Sequence, residues 1–293
     1  MTTEGVMRGQ AVLDGLVTLL DLERIEEDIY RGVSPSGSPV RVFGGQVAGQ
    51  ALVAAGRTVP ADRRVHSLHA YFIRGGDPSV PIVYEVDRIR DGRSFTTRRV
   101  VAVQHGKAIF SLSASFQVDE PGIEHEAAMP AGVPEPESLP TRAEIVADYQ
   151  ERLGAFAKRP QPIDVRYVTE PPWISRERGP REARNQVWMR ADGVLPDDQL
   201  LHVCVLTYAS DMTLLDAVLA KHGVYWGMDK VLGASLDHAL WFHRPFRADE
   251  WVLYDCESPT ASGARGLATG RFFTREGHLV ATVVQEGLLR VVK

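Results

Sequence analysis

The sequence predicts an α+β fold in which one unit, a buried helix followed by an antiparallel meander, occurs twice. Three observations carry this. The chain has 293 residues, which suggests about two domains. Residues 119–140 are rich in proline and acids and lack periodicity, so they read as a linker. On either side of that stretch the same order of elements recurs.

In the first half, Ile29-Tyr30-Arg31-Gly32 and Arg41-Val42-Phe43 read as short strands. A helix is expected over 45–59. Val47, Ala48, Ala51, Leu52 and Ala55 make it apolar nearly all round, the pattern of a buried helix. Pro60 stops it. Strands are expected at 66–74, 82–90, 93–104 and 107–118, with Asp91-Gly92 as a hairpin signal and a turn at His105-Gly106. After the linker, Thr141 and Glu144 form a capping box. Ile145, Tyr149, Leu153 and Phe156 continue at helical spacing until Pro160.

The second half opens with strand-like residues 165–168 and 187–190. A helix fits 198–221 with Gly223 as its C-cap, although Leu201, Val203 and Val205 also alternate as a strand would. Strands follow at 234–244, 250–257, 266–274 and 279–288, with a turn at Glu276-Gly277. Tyr71-Phe72-Ile73-Arg74 matches Trp241-Phe242-His243-Arg244, and Gly106 matches Gly277. An apolar sheet face wrapped round one apolar helix satisfies both elements. That is the hotdog architecture, and the chain is expected to hold it twice: a hotdog over 1–118, a linker with a helix over 119–160, and a second hotdog over 161–293.

Bulk properties exclude several classes. Net charge is −5 and no run of five Lys or Arg occurs, which argues against a nucleic-acid or anionic-membrane partner. Cys204 and Cys256 have no CxxC spacing, so neither a disulfide framework nor a thiolate metal site is expected. No apolar stretch approaches the roughly 20 residues of a membrane helix, no signal sequence is evident at the start, and no peroxisomal tripeptide at the end. A cytoplasmic location is the expectation.

Several motifs in order then resemble the bacterial acyl-CoA thioesterase II family, which includes peroxisomal acyl-CoA thioesterases. They are Val42-Phe43-Gly44-Gly45-Gln46-Val47-Ala48-Gly49-Gln50, His66-Ser67-Leu68-His69-Ala70-Tyr71-Phe72, Tyr208-Ala209-Ser210-Asp211, Ser235-Leu236-Asp237-His238, Trp241-Phe242-His243-Arg244-Pro245-Phe246, Ser262-Gly263-Ala264-Arg265-Gly266 and Val284-Gln285-Glu286-Gly287. The resemblance covers roughly residues 15–290. It implies a double hotdog that hydrolyses medium- to long-chain fatty acyl-CoA, with no metal and no cofactor. It implies a homo-oligomer, dimer or tetramer, joined through sheet edges. Its catalytic trio falls on Asp211, Ser235 and Gln285, which position a water. Some bacterial members carry Thr where this chain has Ser235.

These residue types suit thioester hydrolysis. A carboxylate takes the proton from attacking water, while Gln and Ser orient it. Backbone N–H groups at a glycine-rich helix start stabilise the oxyanion, which makes Gly44 and Gly45 candidates for oxyanion support or for service to the unused half. Asp211 alone has two readings. On a continuous helix it shares the stripe of Tyr208 and Leu215; alternatively it N-caps a shorter helix. Ser235 and Gln285 alone read as easily as structural strand residues. Asp237 and His238 are expected to support the site. The first-half helix holds no carboxylate, so one active site per chain is expected.

Competing features are weaker. His66, His69 and His243 show no zinc spacing. Arg74, Arg93, Arg244 and Arg265 suit CoA phosphates or ordinary surface ion pairs. Trp241, Phe242 and Phe246 fit a core or an acyl tunnel. There is no GxSxG elbow. The alternatives are an acyl-CoA hydratase on the same fold, for which no D-x-N-P-x-H occurs, and an acyl-CoA-binding protein without catalysis.

Overall fold

A computed structural model describes residues 7–35, 41–154, 157, 159–226, 229 and 231–292. In chain order the elements are α1 (Gln10–Leu20), β1 (Glu23–Glu26), β2 (Ile29–Gly32), α2 (Gly44–Gly56), β3 (Arg63–Phe72), β4 (Ile82–Asp91), β5 (Phe95–Gln104) and β6 (Lys107–Val118). Then come α3 (Arg142–Ala147), α4 (Gln150–Leu153), β7 (Ile163–Tyr167), α5 (Pro172–Ser175), β8 (Arg184–Ala191), α6 (Gln199–Ser210) and α7 (Asp216–His222). The last strands are β9 (Val231–Ser235), β10 (Asp237–Phe242), β11 (Val252–Ser262), β12 (Arg265–Thr274) and β13 (Leu279–Val291).

All thirteen strands of the described residues belong to one antiparallel sheet, in the order β1-β2-β4-β5-β6-β3-β10-β13-β12-β11-β8-β7, with β9 also on β13. The two meanders join at β3 and β10, so the halves complete one sheet within the chain. His69 pairs with Ala239 at the middle of that junction. Each half is built to the same register. Ala239 pairs with Val284 as His69 pairs with Ser113. Ser235 pairs with Gly287 as Val65 pairs with Phe116, and each precedes one unpaired residue, Leu236 or His66.

The helix α2 is buried from Gly45 to Ala55, as its all-round apolar sequence requires. It lies antiparallel to α6, and both fill one continuous core against the sheet. The approach is close because α2 carries glycine where α6 crosses. A Cβ on Gly45 would meet the Tyr208 carbonyl oxygen at 2.3 Å, so only glycine fits.

Some expectations change. Arg41, Val42 and Phe43 form no strand; the Val42 N–H is held by the Gly76 carbonyl at 3.0 Å. The helix expected over 198–221 breaks between Ser210 and Asp216, and its start is helical, not extended. The Tyr254 hydroxyl donates to the Ser210 carbonyl at 3.0 Å, which satisfies one carbonyl left free at the helix end. Asp211 is therefore the C-cap of α6, neither a mid-helix stripe residue nor an N-cap. The strand expected over 234–244 is split at Leu236. Phe242 and Phe246 are buried, whereas Trp241 is half-buried and set edge-on to the His69 ring.

Thr141 and Glu144 close the capping box of α3, and Gly223 caps α7 in the left-handed conformation. Phe156 lies outside the described residues. The stretch 119–140 is no free tether. Its Met129, Val133 and Leu139 cover Trp188, Trp251, Leu253 and Phe273 on the sheet.

Candidate active site

The C-terminal end of α6 meets the N-terminal end of α2, and β9 and β13 flank the junction. Asp211 Oδ1 accepts from Gln285 Nε2 at 2.6 Å and from Ser235 Oγ at 3.1 Å. The Gly45 N–H also faces this carboxylate and favours its charged form. Burial is the largest influence on Asp211 and raises its pKa to about 6; these three contacts pull it back down. The group stays ionised at neutral pH while remaining basic enough to take a proton.

Gly44 sits against the other carboxylate oxygen. A Cβ there would lie 2.6 Å from Asp211 Oδ2 and 2.8 Å from the Phe72 ring. Gln285 is fully buried, and its Oε1 has no hydrogen-bond partner among the described residues. Apolar rings enclose the cluster: Phe43 lies edge-on to Tyr208 at 5.0 Å, and Phe72 lies 5.1 Å from Phe110.

Asp237 and His238 brace this arrangement from behind. Asp237 Oδ1 accepts from the Glu286 N–H at 2.7 Å, one residue beyond Gln285. Ser210 Oγ donates to the Thr207 carbonyl at 2.8 Å, so its contact with His238 Nε2 at 2.8 Å has the imidazole donating. His238 is fully buried, and burial lowers its pKa to about 3, so it is the neutral ring that carries this N–H.

All seven site residues expected from the sequence converge here. Gly44 and Gly45 belong to the first hotdog yet serve the carboxylate of the second. The Gly45 N–H faces the Asp211 carboxylate and helps to hold its pKa down. Sequence reading missed Tyr254, because a hydroxyl that ends a helix from another strand leaves no local pattern, and it gave Ser210 no role beyond its place in the motif. It also missed Arg98, a fully buried arginine in the first half.

The positions equivalent to the trio are inert. Gln285 corresponds to Ala114 and Ser235 to Val65, by strand register. The contact of Asp211 with Gly45 repeats as Gly56 with Leu200, where a Cβ on Gly56 would lie 2.5 Å from Leu200. Beside them Arg98, paired with Ala114 across β5 and β6, donates to Thr58 Oγ1 at 2.8 Å, to the Thr58 carbonyl at 3.1 Å and to Asp91 at 2.6 Å. Among the described residues no three His, Cys, Asp or Glu side chains come together as metal ligands. Among the described residues no helix is long and apolar enough to cross a membrane.

Comparison with known proteins identifies the family. The family model described as acyl-CoA thioesterase matches residues 156–288, and the one described as acyl-CoA thioesterase N-terminal domain matches 34–117. The chain is 43% identical to human acyl-coenzyme A thioesterase 8, covering 94% of this chain and 89% of that protein. It is 38% identical to acyl-CoA thioesterase 2 of Haemophilus influenzae, covering 95% and 98%. The crystal structure of acyl-CoA thioesterase II TesB2 from Mycobacterium marinum matches with a TM-score of 0.77 at 46% identity, over 95% of this chain and 98% of that one. With its double hotdog fold and its motifs on both sides of one junction, the chain belongs to the acyl-CoA thioesterase II family, hydrolases of acyl-CoA.

Proposed function

We propose that this enzyme cleaves medium- to long-chain fatty acyl-CoA by direct attack of a water held by Asp211, Ser235 and Gln285. The observation that carries the reading is the double donation to Asp211 Oδ1, from Gln285 and Ser235. Both hydrogen bonds fix the carboxylate rotamer and leave Oδ2 and Gln285 Oε1 as acceptors. A water between them gives one proton to Asp211 as it attacks the thioester carbon, and Gln285 orients the other. The C–S bond breaks as the tetrahedral intermediate collapses, and the CoA thiolate leaves with little need of an acid. The remaining N–H groups of the first turn of α2, Gly44 among them, take the oxyanion.

Asp237 and His238 act by position, through Glu286 and Ser210. The apolar rings around the cluster favour an aliphatic acyl chain over a polar one. Residues 1–118 and 161–293 act as the two hotdog units, with 119–160 as the covering link. The working form is a dimer or tetramer. Two free buried cysteines suit a reducing, cytoplasmic setting. Thiol release from a panel of acyl-CoA esters tests the reading. Turnover that peaks at medium to long chains and is lost in Asp211→Asn supports it. Tight binding without release at any chain length rejects it in favour of a binding protein. Light scattering tests the assembly, and a monomer at working concentration rejects that part.

A further inference from the structure

Arg74 and Arg244 occupy equivalent places in the two halves and make the same backbone contact. Arg74 Nη1 donates to the Ala108 carbonyl at 2.6 Å, and Arg244 Nη1 donates to the Leu279 carbonyl at 3.1 Å. Their charges are treated differently. Arg244 lies 3.1 Å from Glu126, a carboxylate delivered by the stretch that covers the second half. Among the described residues no carboxylate reaches Arg74, and Asp77 nearby is engaged by Ser79 and His105.

Arg41 adds a second cation beside it. Its stem crosses Gly75, so that a Cβ on Gly75 would lie 3.1 Å from Arg41 Cδ and 3.2 Å from Nε. Arg41 also has no ion pair among the described residues, and both arginines are exposed. The two side chains thus stand on neighbouring segments, and among the described residues neither charge has a carboxylate partner. Their fork of N–H donors matches phosphate oxygens.

The pair stands at the rim of the site. Segments 41–44 and 72–76 run side by side, tied by the Val42 N–H and the Gly76 carbonyl at 3.0 Å. Gly44 and Phe72 of those segments touch the Asp211 carboxylate region. Arg41 is three residues from Gly44 and Arg74 two from Phe72, a backbone separation of at most about 10 Å. A carrier whose phosphates rest on these arginines can extend its thiol arm inward to the carboxylate. Arg265 and Arg244 are neutralised by Glu286 and Glu126.

We propose that Arg41 and Arg74 bind the phosphate groups of the CoA moiety and anchor the substrate at the mouth of the Asp211 site. This rests on the function proposed above. The test compares acyl-CoA with the matching acyl thioester of N-acetylcysteamine, which keeps the reacting bond and lacks phosphate. In Arg41→Ala and Arg74→Ala the KM for acyl-CoA rises about ten-fold each, with kcat nearly unchanged. Turnover of the phosphate-free substrate stays at the wild-type value, and Arg244→Ala leaves both unchanged. Should Arg74→Ala fold poorly, Arg74→Gln retains a donor for the Ala108 carbonyl without the charge. An unchanged KM in the double variant, or an equal loss on both substrates, overturns the proposal. Asp211→Asn, assayed in parallel, separates the two levels. Full activity there rejects the site itself, whereas an inactive Asp211→Asn with unaffected arginine variants rejects the phosphate contact alone.

Discussion

The two hotdogs share one backbone plan and differ in what fills the end of the central helix. In the second, the carboxylate of Asp211 sits between Ser235 and Gln285, all three poised at the end of α6. In the first, the same places hold Gly56, Val65 and Ala114, and Leu200 packs against Gly56. Arg98 adds its hydrogen bonds to Thr58, just beyond the end of α2. The difference teaches that the register alone does not make a site. A polar cluster needs three side chains at once, and the half that lacks them is sealed with apolar groups and one satisfied cation. The first half still contributes, since its Gly44 and Gly45 press against Asp211.

The largest effect expected is at the carboxylate. Asp211→Asn lowers kcat by about 10²–10⁴-fold, because it removes the proton acceptor and keeps the shape. Thiol release from acyl-CoA measures this. Gly56→Asp in the same background restores nothing, since Val65 and Ala114 offer no hydrogen bond; activity regained there would break the distinction between the halves.

Gly44→Ala comes next. Its methyl would reach Asp211 Oδ2 at 2.6 Å and the Phe72 ring at 2.8 Å. Relief of these contacts by a shift of about 1 Å in the carboxylate is expected to cost about 10²-fold in kcat/KM. Near wild-type kinetics would show that the first half does not shape the site.

Arg98→Ala affects the other side of the comparison. Truncating this fully buried arginine leaves Thr58 and Asp91 without their donors. A loss of about 3 kcal/mol in unfolding free energy is expected, with kcat unchanged on the folded protein. Equilibrium denaturation and single-turnover assay together check it, and a fall in kcat would mean the sealed half takes part in chemistry.

The smallest effect is in pH. The Asp211 pKa of about 6 places the acid limb of kcat/KM near pH 6, with activity falling as the carboxylate protonates. Gln285→Ala removes a donor to the ionised form, so the limb moves to higher pH. Stability follows with a definite sign. The folded state holds this proton up to about pH 6, while the unfolded state releases it near the ordinary carboxylate value of 3.8. Stability therefore declines between those values, and the deficit is complete above pH 6. Asp211→Asn removes the deficit and raises Tm by at least about 2 °C at pH 8. An equal Tm would mean that the carboxylate is not penalised by burial.

Much of the fold was legible in the sequence for local reasons. The apolar helix of the first half, the meander strands and the turns at His105-Gly106 and Glu276-Gly277 follow from periodicity and turn chemistry that need no distant partner. The motifs around Asp211, Ser235 and Gln285 identified the family, and their grouping on one helix and two meander strands suited a single point. Less legible was the break of the second helix at Asp211. Nothing in residues 198–221 stops a helix there. The hydroxyl of Tyr254, on β11, takes the Ser210 carbonyl, and the end of α2 arrives beside it.

By itself, then, the sequence determined that this chain repeats a helix-and-meander unit, that the first-half helix holds no carboxylate whereas Asp211 stands in the second half, and which three polar residues stand in its motifs. Those are properties of neighbours along the chain. Tertiary structure alone decided that Gly44 and Gly45 of one half face Asp211 of the other, that His238 presents its Nε2–H to Ser210, and that no carboxylate among the described residues reaches Arg74 while Arg244 is paired. Each of these joins residues far apart in sequence, and such contacts are set by how helices and strands pack, which no local pattern encodes.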